Sequence, residues 1–159
     1  MLFRSDAAAA ELAAAFARRG SGSERRAELR DANPGNWLPV EWDELLDGRL
    51  GPWTMVLDGG RAVSICHTPG PLTPRSAECG VWTQPGFRGR GYAAATAMAW
   101  AAILRPTGRV LFYSTDADNR SSQRVAERLQ LRPIGWTWRL RATDHGADPV
   151  HPLSTLRRR

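Results

Sequence analysis

The chain is 159 residues long with a formal net charge of +6, 42% hydrophobic and 24% charged residues, proportions that suit one soluble globular domain and exclude a wholly disordered segment. Its longest apolar stretch, from Ala93 to Leu104, is broken by Thr96 and too short for a bilayer, and the opening Met-Leu-Phe-Arg has no signal-peptide core, so a cytoplasmic, bacterial-type chain without a membrane partner is expected. All 22 basic residues are arginine, which excludes Schiff-base and Walker-A phosphate chemistry, both dependent on lysine, and the two cysteines, Cys66 and Cys79, are too few for a disulfide framework or a thiolate metal site.

In chain order, Ser5 and Asp6 ahead of residues 7–18 predict an N-capped, alanine-rich helix ending at residues 20–23. Asn33-Pro34-Gly35-Asn36 is a turn, and residues 40–50 predict a second short helix closed near Gly48. Residues 53–57 and 61–67, joined through Asp58-Gly59-Gly60, read as an antiparallel hairpin. A proline-rich loop over 69–74 leads to a strand at 77–83, a helix over 89–104, a strong strand at 109–115 and a helix over 120–129. Residues 131–134 and 135–140 are expected as further strands, and the segment beyond Ala142 as a loosely held tail.

The order predicts an α/β chain of the mixed α+β kind, whose sheet carries helices on both faces. Strands 77–83 and 109–115 flank a helical crossover and should run parallel.

Between that strand and that helix the chain reads Gln84-Pro85-Gly86-Phe87-Arg88-Gly89-Arg90-Gly91-Tyr92-Ala93. Glycines let the backbone approach a ligand and turn amides outward, and a helix start presents about half a positive charge, so the stretch is an anion site. Gly89-Arg90-Gly91-Tyr92-Ala93-Ala94 fits a dinucleotide fingerprint, with Asp116 some 25 residues beyond. Only 68 residues follow Gly91, however, and a preceding antiparallel hairpin is foreign to a doubly wound parallel sheet. Nucleic acid is not expected as a partner either, because Arg157, Arg158 and Arg159 at the end of the chain account for half the net charge.

Arg88-Gly89-Arg90-Gly91-Tyr92-Ala93 resembles the R/Q-x-x-G-x-G/A motif of the GCN5-related N-acetyltransferases (GNAT). Residues 77–85 resemble that family's fourth strand, and residues 112–129 its fifth strand and following helix, particularly in the FR47-like branch. The resemblance spans residues 53–140. It implies a mostly antiparallel mixed sheet with a splayed parallel strand pair at the acyl-CoA site. It also implies one domain over residues 1–142, with 1–50 as its variable helical part and 143–159 as a basic tail.

The resemblance further implies an acetyl-CoA-dependent N-acetyltransferase acting on a primary amine of a small molecule or peptide, by direct transfer in a ternary complex and without a metal. Pantetheine would bond the backbone of Val81, Trp82 and Thr83. The pyrophosphate would sit on the amides of Arg88, Gly89, Arg90, Gly91, Tyr92 and Ala93, with Thr96 as a hydroxyl donor and Asn119 near the pantetheine arm. A catalytically silent CoA-binding sensor is the alternative.

Glu78 is the candidate base. Strand alternation puts it on one face with Gly80 and Trp82, an apolar wall of the kind that favours a protonated carboxyl. Where the family often carries a tyrosine as general acid this chain has Ala126, so Ser122 is the expected substitute, followed by Tyr113. His67 and Asp116 are candidate substrate contacts. Trp136 and Trp138 are expected to fill the core, with an acceptor wall or a homodimer face as the other roles; the cysteines are expected to be small buried apolar groups.

Overall fold

A computed structural model describes residues 2–4, 28–70 and 73–138 of the chain. The helix expected over residues 7–18, the tail beyond Ala142 and the end of the last expected strand lie outside the described residues. The elements are β1 (Leu2–Arg4), α1 (Pro39–Leu46), β2 (Thr54–Asp58), β3 (Arg61–His67), β4 (Ser76–Thr83), α2 (Tyr92–Leu104), β5 (Val110–Ser114), α3 (Arg120–Arg128) and β6 (Arg132–Gly135). They build a six-stranded sheet in the order β2-β3-β4-β5-β1-β6.

The hairpin forms as its sequence dictates. Asp58 pairs with Arg61 across Gly59 and Gly60, whose φ angles of +54° and +77° are the left-handed pair that a two-residue hairpin turn needs. The register then slips: Val56 faces Ser64 while Leu57 faces Ala62, so Val63 is the extra residue of a bulge. This inverts the alternation along β3, and both Ala62 and Ile65 reach the cluster under α1.

Helix α1 starts on Pro39, with the Glu41 carboxylate accepting the Leu38 amide at 3.3 Å. It ends at Gly48, φ +73°, where Gly48 N–H donates to Leu45 O and Arg49 N–H to Glu44 O, both at 3.0 Å, a Schellman closure. The helix ends four residues earlier than the apolar pattern suggested, because Gly48 in the left-handed region stops it. Its Trp42 and Leu45 join Ala32, Trp37, Ala62 and Ile65 in a core on one sheet face.

On the other face α2 and α3 cover Cys66, Ala77, Cys79, Leu111 and Tyr113. Helix α2 buries Ala94, Thr96, Ala97, Ala99, Trp100 and Leu104, and its small residues allow a close approach to the sheet. Buried bonds fix that approach: Thr54 Oγ1 donates to Thr96 O at 2.7 Å, and Trp100 Nε1 to Thr68 Oγ1 at 3.1 Å. Both cysteines are buried thiols.

Three expectations need correction. The helix expected from Gly89 begins at Tyr92, since Gly89 and Gly91 have φ of +78° and +85° and cannot belong to a right-handed helix. Residues 136–138 are not a strand, and Trp136 and Trp138 are 61% and 90% exposed rather than core-filling. Finally, Leu2–Arg4 forms a strand between β5 and β6, antiparallel to both, which three residues are too short to announce by periodicity.

Candidate active site

Parallel pairing of β4 with β5 runs from Ser76↔Val110 to Cys79↔Tyr113. β4 continues to Thr83, paired on its other side with β3 through Thr83↔Ser64. Gly80 to Thr83 therefore lack a β5 partner, and their outward amides and carbonyls line an open slot. Val81, Trp82 and Thr83 all lie on this stretch. Their faces differ: Val81 packs toward α2, whereas the Trp82 indole packs into the α1-side core.

Where β4 ends, Gln84 N–H bonds Val63 O at 2.9 Å and a tight turn at Pro85–Phe87 reverses the chain. The Arg88 Nε–H donates to Thr83 O at 3.3 Å, and Arg90 Nη2 donates to Gly86 O at 3.4 Å while lying 4.9 Å above the Phe87 ring. Gly91 is the N-cap of α2 and offers no side chain to bond the first turn. The first helical bond is Ala95 N–H to Gly91 O, 3.0 Å, so the amides of the first turn present themselves to an anion. Thr96 does not take part: it is fully buried, with Oγ1 bonded back to the Tyr92 and Ala93 carbonyls at 3.0 and 3.1 Å. One helical turn separates it from the amides, but the wrong face of the helix carries it.

At the vertex of the slot, on the helix side, the Tyr113 and Ser122 hydroxyls are hydrogen-bonded at 2.6 Å. Burial above all, opposed by that bond and reinforced by the nearby thiols, pushes Tyr113 up to about 12. Asn119 caps α3, its Oδ1 accepting Ser122 N–H at 3.1 Å and the Ser121 hydroxyl at 3.0 Å, which leaves its amide NH₂ as the group for a ligand. Ala126, where a tyrosine was expected from the resemblance, is fully buried in the same core as Tyr113.

On the opposite face lies Glu78, which accepts a hydrogen bond from the Ser114 hydroxyl. Glu78 is exposed, so the apolar wall expected from strand alternation is absent; Trp82 shares its face but turns into the neighbouring core. His67 is 8% exposed and pairs with Gly80 across the strands. A Cβ on Gly80 would meet its Cε1 at 3.3 Å, so the glycine makes room for the imidazole. Trp37 packs edge-on against that ring at 5.0 Å. Glu78, Gly80 and His67 thus share one side of the slot's vertex. Asp116 is exposed beyond β5, its carbonyl accepting Asn119 N–H at 3.2 Å, and Trp136 lies past β6. Sequence reasoning missed Ser114 and Trp37; Ser114 lies two residues past Phe112, the register partner of Glu78, and nothing local signalled Trp37.

A family model for the GNAT acetyltransferase domain matches residues 3–132. The chain belongs to the GNAT acetyltransferase family. Among solved structures, a GNAT-family acetyltransferase from Novosphingobium aromaticivorans is 26% identical with a TM-score of 0.57, over 84% of this chain and 58% of that one. A GNAT acetyltransferase from Colwellia psychrerythraea is 15% identical with a TM-score of 0.62, over 83% and 51%. The aminoglycoside N-acetyltransferase AAC(6')-Iy, solved with CoA, is 19% identical with a TM-score of 0.52, over 77% and 93%. The chain thus spans between half and three fifths of the first two structures, and no curated protein matches it.

The open slot and the glycine-rich loop are adjacent, at the end of β4 and the start of α2. Among the described residues no group of three His, Cys, Asp or Glu side chains could hold a metal, and no helix is long and apolar enough to cross a membrane.

Proposed function

We propose that the protein is a cytoplasmic N-acetyltransferase of the FR47-like branch, transferring acetyl from acetyl-CoA directly to a primary amine in a ternary complex. The observation that carries this reading is the end of β4–β5 pairing at Cys79↔Tyr113 while β4 runs on beside the α2 start. Pantetheine bonds the free edge at Val81 to Thr83 as an added strand, with the Asn119 amide at its flank. The pyrophosphate rests on the amides from Arg88 to Ala93.

In the reaction the amine nitrogen forms a bond to the thioester carbonyl carbon, and the carbon–sulfur bond breaks after a tetrahedral intermediate. Glu78, steadied by Ser114, receives the proton the nitrogen loses, directly or through a water. A carboxylate is a far weaker base than an alkyl amine, so holding the cation beside the thioester is a large part of its role. Ser122, bonded to Tyr113, delivers a proton to the departing sulfur. Since a thiol near pKa 8.5 leaves tolerably as thiolate, this acid accelerates the reaction only modestly. His67, Asp116 and Trp136 border the acceptor side.

Calorimetric titration with acetyl-CoA tests the donor site. Micromolar binding is expected, and an Arg88→Glu, Gly91→Glu double variant should lose it; a parent protein that does not bind acetyl-CoA refutes the reading. Thiol release with a panel of amines then tests transfer. Exposed Glu78 and the absent tyrosine favour a second reading, a silent CoA-binding sensor. It is supported if acetyl-CoA binds and no amine releases thiol, or if Glu78→Gln turns over as the parent does.

A further inference from the structure

We infer that Arg128, in the last turn of α3, is the guanidinium that grips the donor's phosphates at the start of α2, rather than the motif arginines Arg88 and Arg90. The inference rests on the acyl-CoA reading above and adds to it a residue from a different helix, 37 positions beyond Gly91.

The geometry comes from Gly91. A Cβ built there would lie 3.2 Å from Arg128 Nη1 and 3.4 Å from both Cζ and Nη2. The flat guanidinium head therefore covers the glycine that opens the helix, and a side chain there would have to push it aside by a few tenths of an ångström. Gly91 is required by its φ of +85°, and this approach adds to the demand.

The three arginines around this loop are held differently. Arg88 and Arg90 donate to the carbonyls of Thr83 and Gly86, within their own loop, and Arg90 also lies on Phe87; their heads brace the turn. Among the described residues the Arg128 guanidinium makes no hydrogen bond, and the salt bridges found there involve only Arg30 and Arg49. Arg128 sits in the last turn of α3, where the carbonyl end favours a cation. Its head, though, meets the positive end of α2, a repulsion that no carboxylate of the described residues relieves. Arg124 and Arg120, four and eight residues back along α3, add like charge. A pyrophosphate placed over Gly91 would reverse every one of these signs, and a guanidinium matches two phosphate oxygens at once.

The test compares the parent, Arg128→Met and Arg88→Met by calorimetry with three probes: CoA, inorganic pyrophosphate, and pantetheine, which has no phosphate. For Arg128→Met we expect CoA binding at least tenfold weaker, pyrophosphate binding lost and pantetheine binding unchanged. Arg88→Met should lose less. Without ligand, Arg128→Met should melt no lower than the parent, because it removes a repulsion. CoA binding within twofold of the parent overturns the inference, as does an equal loss toward pantetheine with a lowered melting temperature, which marks a packing role. If the parent binds pyrophosphate but not CoA and Arg128→Met loses it, Arg128 stands and the acyl-CoA reading falls. If the parent binds neither, both fall.

Discussion

Tyr113 is where a single side chain links stability to the chemistry of the slot. Burial holds its phenol protonated up to about 12, against an ordinary value of 10, and Cys66, buried and beside Cys79, is also pushed up. The folded chain keeps these protons more tightly than the unfolded one, so Tyr113's contribution is complete below pH 10 and lost as pH rises from 10 to 12. A two-unit shift is worth on the order of 2–3 kcal/mol. Tyr113→Phe should be less stable than the parent at pH 8 by about 1 kcal/mol, having lost the Ser122 bond, but the gap should close or invert by pH 12. Urea denaturation across that range measures it, and parallel curves would show that Tyr113 is not the group titrating. At Gly91 the same scale of reasoning gives a different result: Gly91→Ala must adopt a left-handed φ at a cost of about 1–2 kcal/mol and push the Arg128 head aside. It should lose CoA affinity far beyond that stability change, which calorimetry and melting together would separate.

Helix α2 carries the glycine-rich loop at one end and a core at the other, and its position on the sheet decides where the free amides point. Trp100, 2% exposed, supplies both packing and the buried bond to Thr68. Trp100→Phe should cost about 2–4 kcal/mol, from lost volume and from a Thr68 hydroxyl left without its donor. A loss under 1 kcal/mol in urea unfolding would mean that the helix is anchored elsewhere. The elements themselves were legible where local chemistry decides them: Asp58-Gly59-Gly60 dictates its hairpin, and the alanine run dictates α2. The glycine-rich turn ahead of α2 was equally legible, because glycines and a helix start are consecutive in the chain. Legibility failed where partners are distant. Leu2–Arg4 becomes a strand only because β5 and β6 accept it. Thr96 looked available one turn into α2, yet its face of the helix is set by packing against Ser64 and Thr54. Trp136 and Trp138 show aromatic alternation, yet both are exposed. Arg128 reaches Gly91 across two helices, a contact that sequence spacing does not encode.

For the whole molecule the consequence of the slot is mechanical as well as chemical. The sheet has two halves, β2-β3-β4 and β5-β1-β6, joined by the short parallel register from Ser76 to Cys79 and by α2 and α3 packed over the join. Beyond Cys79 the edge of β4 is open, so its outward amides should exchange with solvent faster than those bonded to β3. A donor whose arm bonds that edge, and whose phosphates sit at the start of α2, adds a link between strand edge and helix start to those the register and the core already make. Mass action requires a gain of about 2.7 kcal/mol at a ligand concentration of 100 Kd, a rise in melting temperature of roughly 5–10 °C for a chain of this size. The gain should also be localised. Hydrogen exchange with acetyl-CoA should slow at residues 80–83 and at 91–94, whereas pantetheine should protect the first segment alone, since it lacks the phosphates that engage α2. Uniform protection across the sheet, or protection confined to the α1 face, would mean that the ligand does not enter between β4 and β5, and the division of labour between strand edge and helix start would have to be abandoned.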